Sequence, residues 1–394
     1  MLIRYKKNAH GLDAVARVYG SEENGIDRNK IDANAVSVIR RLTEAGYESY
    51  IVGGAVRDLI LGRIPKDFDI ATAASPRQVH KLFRNSRIIG RRFRLVHITF
   101  GPEIIEVSTF RSIRDHEASD DNQFGTIEED CTRRDFSINS LYYDPLKGSL
   151  IDFNSALEDF KKKRLVSLIP LNKTFIEDPV RMVRAVKYSV TTGFRIPYRL
   201  SRAIRVFAPE LERVSTSRMT EEVNKILGSG CSKGIVSRLH DYKLLVYMLP
   251  AISVYAGYPQ LFESLGKLDE EVMSAKSNSK SVDKASMYLA LARPFLAANA
   301  ELTDPLQVFN DYLRQIKVII SPITPSNYDL EKAASEYMRE QGMKVPKGAV
   351  RHRNPEIPVQ RPPRAGHTGK PGENPAPKKR RRHTPKKKTD QDQA

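Results

Sequence analysis

The chain has 394 residues, 65 Lys+Arg against 47 Asp+Glu, and a formal net charge of +18. At about 100 to 200 residues per domain this length predicts two to three domains, and 40% apolar residues can build a core, which excludes disorder throughout. Two cysteines, Cys131 and Cys231, exclude a disulfide scaffold and a four-cysteine zinc site, and no apolar run approaches the ~18 residues of a membrane span.

Met1 to Val18 lacks the apolar core of a signal peptide, so a reducing, cytoplasmic setting is expected. Asp32 is placed to cap a helix from Ala33 to Ala45, with Ala35, Val38, Ile39 and Leu42 on one face and Gly46 as the stop. Tyr50 to Val52 reads as a short buried strand, broken by Gly53-Gly54. Ala55 to Leu61 follows as a helix ended by Gly62. Phe68 to Ala71 reads as a second strand, and Ser75-Pro76 opens a helix to about Phe83. Leu95 to Phe100 and Ile104 to Phe110 alternate as half-buried strands around a Gly101-Pro102 turn. Arg111 to Gly125 is a polar, acidic loop, and a short helix fits within Phe136 to Tyr143.

Beyond about residue 155 the strand signals fade. Helices are predicted over Pro179 to Val190, Arg199 to Phe207, Thr220 to Leu227, Ile235 to Met248 and Lys284 to Phe295, with Ser274 to Lys284 as a polar connection. The fold class is therefore an α/β head with a small mixed sheet, then an all-α body, then a basic tail. From Lys344 to Ala394 there are 15 Lys+Arg, 4 Asp+Glu, 9 prolines and no Phe, Trp or Tyr. Such a segment buries too little apolar surface to offset its ordering entropy and is expected to be disordered. A polyanion partner and a solubilising tail both account for its charge.

The chemistry concentrates in Val52 to Thr72, VGGAVRDLILGRIPKDFDIAT. Gly53-Gly54 sits between a strand and a helix, where close backbone approach and helix-terminal amides favour a phosphate. Asp67 and Asp69 flank one apolar residue. On a strand, residues i and i+2 share a face, about 6.5 Å apart. Two carboxylates there repel unless a divalent cation lies between them, and Mg²⁺ takes one or two carboxylates plus substrate phosphates. Glu106 offers a third carboxylate on the face opposite Ile105 and Val107; a solvated strand position explains it equally.

This segment resembles the first motif of the bacterial class II nucleotidyltransferases, the family of the CCA-adding transfer-RNA enzymes and the bacterial poly(A) polymerases. Three further blocks follow in order: RRDFSINSLYY from Arg133, EDPVRMVRA from Glu177 and SRMTEEVNKIL from Ser217. The stretches Lys81 to Arg111 and Phe124 to Tyr143, with the basic tail, resemble the poly(A) polymerase branch more than the CCA branch. One departure is DFNSALEDFKKKRL, with Ala156 where glycine is common and Phe160 for leucine, which bears on the hinge between head and body.

The resemblance implies an N-terminal extension over 1–31, a nucleotidyltransferase head over 32–155, a base-reading helical neck over 156–250, an RNA-binding helical body over 251–343 and the tail over 344–394. It implies Mg²⁺ or Mn²⁺ held by Asp67 and Asp69, with Glu106 the third catalytic carboxylate. Gly53, Gly54, Arg57 and Asp58 would contact the nucleotide triphosphate and its metal, and Arg134 and Asp135 the triphosphate and ribose. Asp178 and Arg181, at i and i+3 of one helix, would read the base edge, supported by Glu177 and Arg184 and braced by Arg218 and Glu222. Read without the family, Arg133 to Asp135 is also a surface ion-pair cluster, and Glu177, Arg181 and Arg184 are also helix surface pairs. The implied activity is template-independent addition of AMP from ATP to single-stranded RNA 3′ ends by two-metal transfer, releasing pyrophosphate. RNA-decay machinery or an RNA chaperone would be the partners, and a monomer the assembly. A CCA-adding enzyme and a non-catalytic RNA-binding protein are the rival readings. Tyr188, Phe194, Tyr198 and Phe207 lie among basic residues and are assigned mainly to helix cores; His240-Asp241 is assigned to an ordinary helix.

Overall fold

Strand β3 (Ser49–Val52) ends where Gly53 turns away, and the head is laid out around that point. The computed structural model of the chain describes residues 1–8, 11–90, 95–112, 124–278 and 280–350. With β3, strands β1 (Leu2–Asn8), β2 (Gly11–Tyr19), β4 (Asp69–Thr72), β5 (Ser86–Ile89), β6 (Leu95–Phe100), β7 (Glu103–Thr109), β8 (Tyr142–Asp144) and β9 (Ser149–Asp152) form one sheet. Their order is β1-β2-β9-β8-β3-β4-β7-β6-β5. All neighbours run antiparallel except β4 and β7, so the sheet is mixed, as expected.

Period-two alternation gives the sheet two apolar faces. Ile51, Ile70, Val107, Tyr143 and Leu150 enter the main core. Tyr50, Val52, Ala71, Tyr142 and Ile151 enter a smaller cluster with Ile127 and Cys131 of the helix Ile127–Thr132. On the main face, the helix Ala33–Glu44 buries Ala35, Val38, Ile39 and Leu42, and Asp32 Oδ1 caps it by accepting from Ala35 N at 2.8 Å. The helix Pro76–Leu82 starts with a reciprocal Ser75–Gln78 capping box.

From Ala156 onward every named element among the described residues is helical. The main core runs on without a break from the sheet into these helices, and Met1–Arg351 make one compact unit. Four expectations need correcting. Asp67 and Asp69 do not share a strand: β4 starts at Asp69, whose ladder partner Val52 is the last residue of β3. Gly53 then leaves the ladder, so Asp67 has nothing to pair with. The helix predicted over Ile235 to Met248 is two, Ser232–Asp241 and Leu245–Met248. Lys243 adopts φ 62° between them, with Lys243 N donating to His240 O and Leu244 N to Leu239 O, the paired bonds of a Schellman stop. The helix Pro259–Ser277 occupies part of the expected polar connection, since Ser, Ala and Lys do not break a helix with a buried apolar face. Asp178 and Arg181 do not share a helix, because Asp178 precedes Pro179 and the helix Val180–Thr192.

The sequence reading also missed β1, β2, β5, β8 and β9. Leu2, Ile3 and Tyr5 on the edge strand β1 are all exposed, so the in-out alternation that marks a strand is absent there. Most of the loop predicted from Arg111 to Gly125, residues 113–123, lies outside the described residues, as does the tail from residue 351. No helix among the described residues is long and apolar enough to cross a membrane.

Candidate active site

Gly53 adopts φ 69° and ψ −129°, a backbone that side-chain-bearing residues avoid. A Cβ built there would lie 3.7 Å from Arg134 Nη1 and 3.9 Å from Asp69 Oδ2. The glycine bend therefore brings a carboxylate from the sheet and a guanidinium from the second motif to one spot.

Asp69 opens β4 and pairs in parallel register with Glu106 of β7, which places their Cα atoms side by side. Asp69 is exposed to solvent, although protein atoms crowd around its carboxyl. Desolvation first, then the charges of Glu106 and Asp67, push its carboxyl up to about 6, while Arg134 and Lys225 pull it down. Asp67 is exposed in the approach to β4. Glu106 Oε2 lies 3.3 Å from His97 Nε2 on β6. Among the described residues no three His, Cys, Asp or Glu side chains form a ready-made metal cage. The donor set nevertheless fits a hard cation: all are carboxylate oxygens, and the charges of Glu106 and Asp67 both act on the Asp69 carboxyl. A set this small suits an ion such as Mg²⁺, which takes one or two carboxylates and completes its shell with water and phosphate oxygens.

Arg134 is held from behind. Its Nε donates to Tyr142 Oη at 3.1 Å and its Nη2 to Asp130 Oδ2 at 2.9 Å. Tyr142 Oη donates to the same Asp130 Oδ2 at 2.6 Å, and its ring centroid lies 5.0 Å from the guanidinium carbon. Asp130 Oδ1 accepts from Arg111 N at 3.2 Å. This leaves Nη1, 3.3 Å from Asn139 O, as the nitrogen beside Gly53. Asp130 was not among the sequence candidates. Its signal was available in the spacing alone: Asp130, in the helix Ile127–Thr132, stands four residues before Arg134, which lies just past the helix end and turns back to it.

Arg57 Nε donates to Asp58 Oδ1 at 2.9 Å and its Nη1 to Asn139 Oδ1 at 3.1 Å, with its guanidinium 5.0 Å above the Tyr188 ring centroid. Gly54 lies beside it, a Cβ there being 3.6 Å from Arg57 Nη2. Asp135 is buried; its Oδ1 accepts from Phe136 N at 2.8 Å and Asn139 Nδ2 at 3.1 Å. Its Oδ2 makes an ion pair with Arg184 Nη2 at 2.9 Å without hydrogen-bond alignment. Arg184 also donates to Tyr188 Oη at 2.9 Å. Asn139 thus links the first motif to the second, and Arg184 links the second to the third.

Asp178 Oδ2 accepts from Arg218 Nη2 at 2.7 Å and lies 3.7 Å from Arg181 Nε. Asp178 Oδ1 is buried and has no hydrogen-bond partner among the described residues. Arg181 Nη1 turns back to Thr174 Oγ1 at 2.9 Å and stands 3.7 Å from the exposed Glu177 carboxylate. Glu222 is buried between Lys187 at 3.0 Å and Lys225 at 3.3 Å, which hold its carboxyl below the usual range against the desolvation that would raise it. The His240-Asp241 pair ends an ordinary helix.

Residues 49–166 match the family model described as the poly(A) polymerase head domain, and residues 193–255 the one described as the probable RNA and SrmB-binding site of polymerase A. The chain is 42% identical over 269 residues to poly(A) polymerase I of Escherichia coli O157:H7, covering 64% of this chain and 58% of that protein. It is 36% identical over 266 residues to the Haemophilus influenzae poly(A) polymerase I, covering 64% and 57%. The CCA-adding enzyme of Geobacillus kaustophilus is 32% identical over 268 residues, covering 67% and 65%. Among solved structures, the Bacillus stearothermophilus CCA-adding enzyme in complex with CTP superposes with a TM-score of 0.52 at 25% identity, covering 79% of this chain and 83% of that one. The chain spans under three fifths of the length of the poly(A) polymerases it matches.

Proposed function

We infer from the membership of residues 49–166 in the poly(A) polymerase head-domain family that this chain adds AMP from ATP to RNA 3′ ends without a template. The observation that carries the reading is the meeting of Asp69 and Arg134 at Gly53, with Asp67 and Glu106 close enough to act on Asp69. An α-phosphate at the glycine bend would find carboxylates on one side and a guanidinium on the other.

The RNA 3′ oxygen attacks the α-phosphorus of ATP in line, the bond to the β-phosphate oxygen breaks, and pyrophosphate leaves. Asp67, Asp69 and Glu106 would hold Mg²⁺ or Mn²⁺, which when bound lowers the pKa of the attacking hydroxyl and neutralises the leaving oxygens. Arg134 Nη1 orients the triphosphate and stabilises charge that grows on it. Arg57 with Asp58, and Asp135, complete the triphosphate and ribose contacts. Asp178 Oδ1, a buried acceptor without a donor among the described residues, is suited to the exocyclic amine of adenine, since a buried acceptor gains most from a donor supplied by the ligand. Cytosine also carries an exocyclic amine, so this contact alone does not separate ATP from CTP. The match of residues 193–255 supports placing RNA on the helical part.

The test is incubation of the purified chain and Mg²⁺ with a labelled generic RNA primer and single nucleotides. Long A-only tails are expected. CTP incorporation followed by one ATP on transfer RNA would instead make it a CCA-adding enzyme, and a protein with Asp67→Ala that still adds AMP at the wild-type rate would end the metal-site assignment.

A further inference from the structure

In-line displacement puts the attacking and leaving oxygens on opposite sides of the α-phosphorus. The groups assigned to the triphosphate fix one of those sides. Gly53, Arg57 and Asp58 lie at and beyond the end of β3, with Arg134 Nη1 beside Gly53. The primer then approaches over β7, β6 and β5, which continue the sheet on the other side of β4. The ladders set what it meets there. Asp69 pairs with Glu106, Glu106 with His97, and His97 with Arg87. Directly paired residues share a face, so these four side chains make one row across β4, β7, β6 and β5.

The row lies on the face away from the main core. Ile70, Val107 and Val96, next in their strands to Asp69, Glu106 and His97, enter that core, and Ile88, next to Arg87, packs against it. At the β3 end the same face is covered: Val52, the ladder partner of Asp69, lies in the smaller cluster with Ile127 and Cys131. At the β5 end Arg87 is exposed, and among the described residues it has no ion-pair or hydrogen-bond partner. His97 Nε2, 3.3 Å from Glu106 Oε2, takes the contact with that carboxylate. With strands ~4.8 Å apart, the Arg87 backbone stands about 10 Å from that of Glu106, which leaves its guanidinium uncommitted. Ile104, 52% exposed, is on the same face two residues before Glu106 and gives the row an apolar flank.

We propose that Arg87 binds the last phosphodiester of the primer, one nucleotide back from the attacking hydroxyl. A guanidinium without a carboxylate partner matches a phosphate with two parallel donors. The charges along the row fall in the order the reaction needs. The acids of β4 and β7 face the reacting phosphate, where alone they would repel an incoming polyanion, and the cation of β5 stands where the chain of that polyanion arrives. The pyrophosphate, by contrast, leaves toward Gly53 and Arg134. The proposal rests on the RNA-tailing reading and adds to it a subsite for the primer terminus on the head, apart from the helical part that holds the rest of the RNA.

The full chain is given tetraadenylate primers with all linkages charged, with a neutral methylphosphonate at the last linkage, or with one at the first. Primer KM is measured at saturating ATP, and primer affinity by fluorescence anisotropy without nucleotide. Neutralising the last linkage is expected to weaken wild-type binding and raise the primer KM roughly 10- to 100-fold, and neutralising the first to do much less. Arg87→Ala is expected to lose the same factor with the charged primer and to stop distinguishing the last linkage; Arg87→Lys should regain part of it. The KM for ATP should stay at the wild-type value. Arg40→Ala removes an exposed arginine from the helix Ala33–Glu44, which packs on the opposite face, and should match the wild type. A wild type indifferent to the last linkage, an Arg87→Ala protein that still discriminates, or a raised KM for ATP in place of that for primer overturns the proposal. A wild type that adds no AMP, yet binds the neutral-ended primer more weakly while Arg87→Ala does not, defeats the polymerase reading and leaves this subsite standing.

Discussion

The support behind Arg134 can be tested as a unit. Tyr142 Oη, Asp130 Oδ2 and the Arg134 guanidinium form a closed triangle with sides of 2.6, 2.9 and 3.1 Å. Burial pushes the Tyr142 phenol well above its ordinary value, so it stays protonated and serves as a donor to Asp130. Tyr142→Phe removes one donor from Asp130 and one acceptor from Arg134, which at ~1–3 kcal/mol per unsatisfied buried group is the expected loss of stability. Asp130→Asn removes the carboxylate facing a buried guanidinium, and breaking such a pair costs about 3–5 kcal/mol. Once either partner is gone, the other has less to lose. The double variant should therefore fall short of the summed losses by about 0.5–3 kcal/mol. Urea unfolding at constant m measures all four corners of the cycle. The KM for ATP should rise in each single variant, because Nη1 is no longer aimed. Losses that add within about 0.5 kcal/mol would show that the three groups do not act as one device.

Other outcomes follow from the same geometry. A Cβ on Gly125 would lie 2.6 Å from the backbone of Arg111 and Ser112, so Gly125→Ala should lower the melting temperature, at a cost of about 1–3 kcal/mol for forced overpacking; an unchanged melting temperature would contradict the close approach. Asp69 binds its proton more tightly folded, at about 6, than at its ordinary value of 3.8. Its ionisation penalty is therefore fully present above about pH 6 and relieved as pH falls through that value. The metal-free protein should gain denaturant resistance on acidification, Asp69→Asn should lose that dependence, and Mg²⁺ should stabilise the wild type more at neutral pH than in acid. Val345 and Ala349 pack on the main core, so the tail is cut after residue 351: removal of residues 352–394, which carry 12 Lys+Arg and 4 Asp+Glu, should weaken RNA binding and flatten its salt dependence without changing the rate on saturating primer; an intact salt slope would count against a role in RNA binding.

Local signals made much of this protein legible. Asp32, Ser75 and Gly53 mark their element boundaries because capping and positive φ are properties of single residues and their nearest neighbours. The order of the four motifs carried the resemblance to a family, and periodicity located most helix faces. Long-range pairing was not legible. The edge strand β1 exposes its apolar residues, and β8 and β9 are too short to alternate.

What the sequence by itself determined is which residues are chemically equipped: acids near Asp67, the glycine bend, the arginines of the later motifs and the aromatics that lie among basic residues from 188 to 207. Only the tertiary structure decided which of them meet. It moved Asp67 off the strand that Asp69 opens, set Arg134 against Gly53 through Asp130 and Tyr142, and left Tyr198 in solvent while burying Tyr188. The reason is that a side chain's type is written locally, whereas its neighbours depend on strand register and helix packing fixed by residues far away in the chain.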